Sequence, residues 1–153
     1  MLRLDPNDIS FPDPEHYDSE DGLMAFGGDL RPERLWFAYQ IGLFPWYNEG
    51  EEILWWCPDP RFVLFPNEIK ISKSMKKILR DDVFEFTENK CFEDVMRNCK
   101  MAERKDQDGT WINEELISSF VKLHKAGKAK SFEVWQNGNL VGGFYGVQVG
   151  KVF

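Results

Sequence analysis

Aromatic rings and prolines crowd one stretch of this sequence, residues 42–66. Seven of its 25 residues are aromatic and four are proline. Proline fixes φ and removes an N–H donor, so we expect the stretch to be stiff and mostly extended. Its rings either fill a core or form a stacking platform for a base or a peptide side chain. Trp46 is the best candidate for a platform, because it lies between Pro45 and Tyr47 just before a polar turn.

Four cations that follow Ser72 form a second candidate site. Ser72 can cap a helix, and at about 100° per residue the cations share a helical stripe about 100° wide. They are Lys73, Lys76, Lys77 and Arg80. The stripe is either an ordinary solvated surface or a phosphate-binding one. No acidic residue is interleaved before Asp81, and a stripe of one sign repels itself unless an anion lies across it.

The sequence does not point to metal, disulfide or acid–base chemistry. Its three cysteines form no C-x-x-C pair and its two histidines lie far apart, so no zinc site is expected. A fragment at residues 106–109 resembles the start of a calcium loop but lacks the remaining ligands. We interpret His124 as a structural histidine rather than a catalytic one, and no pair of carboxylates stands out as acid and base. The catalytic residues therefore stay unassigned, and no cofactor or metal is expected.

The composition describes a packed protein with an uneven charge. Its 153 residues are 42% hydrophobic and 15% aromatic, enough for one domain or two small ones. The net charge is −7, but residues 1–60 carry 3 basic and 13 acidic side chains, whereas residues 61–153 carry 16 and 13. This balance argues against a general nucleic-acid binder and leaves room for a local basic surface. With no secretory signal and no uncharged run long enough to cross a bilayer, we expect a cytoplasmic protein without a membrane partner.

The elements that must position these residues alternate between strands and helices. We expect an irregular acidic arm over residues 1–28, then a helix that begins at Pro32 and ends at Gly42. Short buried strands are predicted at residues 53–57 and 62–65.

The middle of the chain continues that pattern. A strand is predicted at residues 83–86, followed by a helix that Asn89 caps and a charged loop at residues 103–109. Asn113 caps the next helix, and two glutamates occupy its first turn, where the helix dipole favours them. Gly127 is predicted to end that helix.

The last residues predict a β-hairpin. Strands at residues 132–135 and 140–149 are joined by an Asn-Gly pair at residues 137–138, the strongest short hairpin signal. Glycines inside the second strand indicate a bulge or a close backbone approach. A second turn near Gly150 should launch another strand, yet the sequence stops three residues later, so we expect the chain to be cut short.

Six segments, in order and plausibly spaced, resemble one protein family, the leucyl/phenylalanyl-tRNA–protein transferases. They are FGGDL (26–30), FPW (44–46), ILWWCPDPR (53–61), ISKSMKK (71–77), GTWI (109–112) and SFEVW with LVGGFYGV (131–147). One such segment is a weak signal, whereas six in register are highly specific and cover nearly the whole chain.

The resemblance implies an α+β fold and an activity. Family members have a small N-terminal subdomain, here residues 1–60, followed by an N-acetyltransferase-like (GNAT) mixed α/β domain, here an incomplete 61–153. These bacterial cytoplasmic enzymes move Leu, Phe or Met from an aminoacyl-tRNA onto the N-terminal Arg or Lys of an acceptor protein. The transfer marks that protein for degradation.

The same resemblance implies site residues by position. Trp46 and Trp111 would hold the 3′-terminal adenosine of the tRNA, and Phe144 and Phe153 would line the pocket for the transferred side chain. The four cations of the basic helix would meet the acceptor-stem phosphates, although Asp81 replaces one family cation.

Two other functions remain open at this point. Family members continue beyond the position of Phe153 with the polar residues proposed to activate the amine, so an alternative is a catalytically inert fragment that binds the 3′ end of aminoacyl-tRNA. A coenzyme A acyltransferase would need a glycine-rich pyrophosphate loop that opens a helix. The glycines at residues 142–143 lie inside a predicted strand instead.

Overall fold

Short β-strands near the start of the chain build the first sheet. The computed structural model describes residues 2–17, 19, 21–102 and 110–153, so the charged loop predicted at 103–109 lies outside the described residues. The strands are β1 (Leu2–Leu4), β2 (Leu23–Gly27), β3 (Phe44–Pro45) and β4 (Leu54–Trp56). Their order is β1-β2-β4-β3, with β1 parallel to β2 and the other pairs antiparallel.

The irregular arm predicted at residues 1–28 is only partly irregular. It supplies two of the four strands, and Leu4, Met24 and Ala25 from them are buried in the core. A run of three to five residues is too short for its periodicity to distinguish a strand from a loop. The prediction at residues 53–57 is confirmed by β4.

The second sheet is a three-stranded antiparallel ribbon. It contains β5 (Glu85–Glu88), β6 (Ala129–Gln136) and β7 (Asn139–Val147) in that order. The predicted turn joins β6 to β7, and Asn137 and Gly138 both have positive φ, as a type I′ turn requires. Beyond β7, the backbone groups of Val149 and Val152 exchange two hydrogen bonds of 2.9 and 3.0 Å, which confirms the predicted second turn.

Four helices lie among the described residues: α1 (Pro32–Gln40), α2 (Lys73–Arg80), α3 (Phe92–Met101) and α4 (Glu114–Lys125). Their caps follow the sequence except at α3. The Ser72 hydroxyl and the Asn113 side-chain oxygen accept the backbone N–H groups of Met75 and Leu116. The prediction that Asn89 caps α3 was wrong, because Cys91 occupies the N-cap position. Asn89 instead takes a positive φ, and its Oδ1 accepts the N–H of Ser131.

One hydrophobic core joins the two sheets. Helix α1 packs on α4, where the Tyr39 and Phe120 rings meet edge-on with centroids 6.0 Å apart. Helices α3 and α4 cover one face of the second sheet, and Tyr145 of β7 meets both Phe92 and Phe120 there. The observed class is mixed α and β, as predicted. No helix in the described part of the chain is long and apolar enough to cross a membrane.

The strand predicted at residues 62–65 does not form. Residues 61–65 have no regular structure, a 3₁₀ turn spans Pro66–Glu68, and Phe62 is fully exposed. Apolar character alone suggested a buried strand, but prolines at positions 60 and 66 leave only a short run between them, without a described strand to pair with. This segment and the whole of α2 lie on the surface.

Candidate nucleotide and side-chain site

Trp46 presents a half-open ring on a fixed backbone. Its backbone N–H donates to the Leu54 carbonyl at 2.9 Å, and its carbonyl accepts the Trp56 indole N–H at 2.8 Å. Trp46 is 51% exposed, and its ring meets the Trp56 ring with centroids 5.9 Å apart and planes at 56°. A ring held in this way on one side can stack a base on the other without losing much conformational entropy.

The next residue fastens this segment to the start of α4. Tyr47 is buried, and its hydroxyl oxygen accepts a hydrogen bond of 2.7 Å from the Asn113 side-chain amide. The Asn113 side-chain oxygen accepts the Leu116 N–H at 2.8 Å, so one side chain both caps α4 and binds Tyr47. Burial raises the pKa of Tyr47, although the Asn113 bond opposes that shift, and the hydroxyl therefore stays protonated.

The Tyr47–Asn113 hydrogen bond brings the neighbourhoods of the two predicted indoles together. Trp46 directly precedes one partner, and Trp111 lies two residues before the other. Trp111 is half-buried and packs against the core, and the neighbouring Ile112 is fully buried. Among the described ring contacts, none joins Trp46 directly to Trp111.

An acidic cleft of about 590 Å³ opens beside this hydrogen bond. Tyr47 and Asn113 line it, together with five glutamates and one arginine. The arginine, Arg3, forms an ion pair of 3.0 Å with Glu52. Neither predicted indole lines the cleft. A wall with this excess of carboxylates repels phosphate groups.

The four predicted cations lie on α2 and face solvent. Arg80 forms an exposed ion pair of 3.6 Å with Asp81, whereas the three lysines make no ion pair with any described residue. The apolar side of the helix is also exposed: Met75, Ile78 and Leu79 pack on nothing that buries them. The stripe therefore lies on the surface, and its role stays a prediction.

Three phenylalanine rings meet on the face of the second sheet that α3 and α4 do not cover. The rings of Phe132 and Phe144 are stacked, with centroids 5.1 Å apart and planes 23° apart. Phe153 meets both rings edge-on at 5.5 and 5.8 Å. Phe144 and Phe153, the two that were predicted to form a pocket, are 55% and 49% exposed. We call Phe132, Phe144 and Phe153 the phenylalanine cluster.

Two glycines of β7 are explained by close approach. A Cβ on Gly143 would lie 2.8 Å from the Phe132 carbonyl oxygen, and one on Gly146 would lie 2.7 Å from Cζ of Phe153. Gly146 thus leaves the space that the Phe153 ring occupies. This confirms the prediction of close backbone approach. These glycines lie inside β7 rather than in a loop that opens a helix, so they do not form the pyrophosphate loop that a coenzyme A acyltransferase would need.

On the opposite face of the same sheet, a buried carboxylate holds α3. Glu133 accepts hydrogen bonds from the hydroxyls of Ser131 (2.5 Å) and Thr87 (2.6 Å) and from the Cys91 N–H (3.4 Å). Burial alone would raise its pKa, but these hydrogen bonds outweigh burial and lower the pKa of Glu133. The carboxylate stays charged and fixes the start of α3 to the sheet, which is a structural role.

His124 also has a structural environment. Its Nδ1 donates to the Ala129 carbonyl at 2.9 Å, and its ring stacks on Phe92 at 4.4 Å. Both contacts agree with its interpretation as a structural histidine. Within residues 2–17, 19, 21–102 and 110–153, no group of three His, Cys, Asp or Glu side chains could hold a metal ion.

Sequence reasoning missed the Tyr47–Asn113 contact and the position of Phe132 beside Phe144. Tyr47 and Asn113 are 66 positions apart, and nothing local in the sequence marks them as partners. Phe132 could have been found only through the hairpin register. Counting back from the turn without a bulge pairs Phe132 with Gly143, but the register shifts between Val134 and Trp135 and places Phe132 opposite Phe144.

Comparison with known proteins identifies the family. The family model described as leucyl/phenylalanyl-tRNA protein transferase matches residues 63–153, and the model of its N-terminal domain matches residues 28–59. Curated proteins named leucyl/phenylalanyl-tRNA–protein transferase are similar throughout. That of Flavobacterium johnsoniae is 56% identical over 95% of this chain, that of Hydrogenovibrio crunogenus 53% over 98%, and that of Pectobacterium atrosepticum 49% over 100%.

The matched region covers only part of each relative. The chain spans 68%, 59% and 64% of the lengths of these three proteins, respectively. The two family models together match most of its residues, with only a short gap between them. The chain therefore belongs to the leucyl/phenylalanyl-tRNA protein transferase family.

Proposed function

We propose that this chain forms the tRNA-end binding part of an aminoacyltransferase. The enzyme would move Leu, Phe or Met from a charged tRNA onto the N-terminal Arg or Lys of an acceptor protein in the cytoplasm, and so mark that protein for degradation. The observation that carries the proposal is the Tyr47–Asn113 hydrogen bond of 2.7 Å, which holds the half-exposed Trp46 near the segment of Trp111.

In this proposal Trp46 and Trp111 hold the 3′-terminal adenosine by stacking. Each stacked base gains roughly 1–3 kcal/mol without being read for its identity. All tRNAs end in the same adenosine, so such a platform accepts any of them. The half-open ring of Trp46, fixed on its backbone on both sides, supports this role.

The cations Lys73, Lys76, Lys77 and Arg80 would bind the acceptor-stem phosphates. The three lysines without an ionic partner in the described part of the chain support this role. The acidic cleft lies beside the Tyr47–Asn113 hydrogen bond, includes no residue of α2 and repels phosphate, so the two surfaces together would orient the RNA. Phosphate contacts of this kind make binding strongly dependent on salt.

Phe144 and Phe153 would bind the transferred side chain. Both rings are about half exposed and touch each other, so they offer apolar surface without a polar group. A pocket of this kind separates apolar side chains by only about 1–3 kcal/mol per methylene. That limited discrimination suits acceptance of Leu, Phe and Met.

The chemistry needs little from the protein besides position. The ester of an aminoacyl-tRNA is already activated, and an uncharged α-amine of the acceptor attacks its carbonyl carbon and displaces the terminal ribose hydroxyl. Holding both reactants in place can therefore supply much of the rate. No described residue is assigned as the general base.

We also propose the two-part organisation into residues 1–60 and 61–153, with a GNAT-like second part. The antiparallel β5-β6-β7 sheet, covered on one face by α3 and α4, supports the GNAT-like assignment. The family matches to residues 28–59 and 63–153 support a boundary near residue 60.

Two measurements on the 153-residue chain test this function. The first is transfer of labelled Phe from charged tRNA to a peptide that begins with Arg, with a peptide that begins with Asp as control. The second is titration with an RNA minihelix that carries Phe at its 3′ end. Binding with transfer supports the enzyme, binding without transfer identifies an inert binding fragment, and no binding contradicts both.

A further inference from the structure

Phe132 holds the two rings of the proposed side-chain pocket in place. It is partly buried, lies nearly parallel to Phe144 at 5.1 Å and receives the edge of Phe153 at 5.5 Å. Phe144 and Phe153 are the exposed members of the cluster, so a ligand reaches them first. Among the described residues, the ring contacts of Phe132 are with these two phenylalanines.

The backbone around the cluster allows few alternative arrangements. The pairing of Phe132 with Phe144 is fixed by the register of β6 and β7. Phe153 sits over Gly146, where a Cβ would be only 2.7 Å from its Cζ. With both neighbours constrained by the backbone, the ring of Phe132 determines how their planes are oriented, because aromatic pairs prefer stacked or edge-on geometry.

We propose that Phe132 is a positioning residue that sets the preference of the pocket between aromatic and aliphatic side chains. This inference rests on the proposed function of Phe144 and Phe153. A Phe side chain on the tRNA gains from rings held at defined angles, because ring–ring contacts depend on orientation. A Leu side chain gains only from the apolar area that it covers, which depends little on ring angle. Phe132 therefore favours Phe over Leu without contacting either.

The test compares affinities for minihelices that carry Phe or Leu through a stable amide at the 3′ end. Phe132→Leu is expected to lower the ratio of Phe to Leu affinity roughly three- to tenfold, the equivalent of one aromatic pair. Phe132→Tyr keeps the ring and should restore the ratio. Phe132→Met, which also lacks a ring, serves the same purpose if the Leu variant does not fold.

Phe86→Leu is the matched control. Phe86 lies opposite Val134 on the same face of the sheet, is exposed and makes no ring contact with the cluster. The ratio of Phe to Leu affinity of the Phe86→Leu variant should equal that of the wild type. A purely structural role for Phe132 would lower both affinities in proportion, and an unchanged ratio in the ring-less variants overturns the inference. If the wild type binds charged minihelices no better than uncharged ones, the proposed function of the pocket fails as well.

Discussion

The hydrogen bond between Tyr47 and Asn113 is the contact on which the proposed adenosine platform depends. Tyr47→Phe removes the hydroxyl and keeps the ring, so core packing stays the same. The Asn113 amide is then left without its partner in a buried position, which costs about 1–3 kcal/mol of the free energy of unfolding. Asn113→Ser removes the amide but keeps a side chain that caps α4 well.

A double-mutant cycle separates the bond from these side effects. Tyr47→Phe, Asn113→Ser and the double variant are unfolded with urea, and the coupling free energy is obtained from the three differences. We expect a coupling of about 1–2 kcal/mol, because two buried groups 2.7 Å apart share the bond. Affinity for a charged minihelix should fall in both single variants and fall little further in the double variant.

Tyr17→Phe is the control for the loss of a tyrosine hydroxyl. The Tyr17 ring also packs on the core, but its hydroxyl makes no hydrogen bond to a described residue, so this change should leave stability and affinity nearly unchanged. A coupling below about 0.3 kcal/mol between Tyr47 and Asn113 is within the range of independent sites. That result would refute the claim that this bond joins the two segments.

Three further predictions concern charge. Hydrogen bonds from Arg31 and Arg34 outweigh burial and lower the pKa of Asp29 from 3.8 to about 2, so its stabilisation is complete above about pH 4 and is lost as pH falls towards 2. In urea unfolding, Asp29→Asn should remove about 2 kcal/mol of the decrease in unfolding free energy that the wild type shows on acidification. Glu33→Gln, a change at an exposed position, should leave that decrease in place. Glu133→Gln should lower the free energy of unfolding by about 1–3 kcal/mol at pH 7, because it disturbs a buried hydrogen-bond network. The pKa of Glu133 is lowered, so the difference in unfolding free energy from the wild type should shrink on acidification. A difference that stays constant with pH would contradict this. Replacing the lysines at positions 76 and 77 with Gln should reduce the slope of log affinity for a minihelix against log salt concentration by roughly 1.5. An equal reduction after the same replacement of the lysines at 122 and 125 would argue against a specific role for α2.

Local signals were readable from the sequence, and contacts between distant residues were not. Ser72 and Asn113 cap their helices as expected, because a cap depends on residues three positions away. The turn at residues 137–138 also depends only on its own two φ angles. The strand predicted at residues 62–65 was wrong because apolar character does not say whether a partner strand is available.

The candidate site shows the same division. The exposed ring of Trp46 was predictable from the prolines and polar turn around it. The partner of Tyr47 was not, because a contact over 66 positions is decided by the packing of the whole core. The position of Phe132 beside Phe144 depends on one bulge, because a single extra residue in β7 changes which side chains share a face.

The central claim is that two indoles hold the terminal adenosine of a tRNA. It is tested most directly by the affinity of the 153-residue chain for a Phe-carrying minihelix after Trp46→Ala, Trp111→Ala and both changes together. Each single change should weaken binding by roughly 1–3 kcal/mol, the contribution of a stacked base, or about five- to 150-fold. Trp36→Ala removes a core-facing indole elsewhere and is the control: once this variant is shown to be folded, its affinity should fall far less. Unchanged affinity in the double variant would contradict the account.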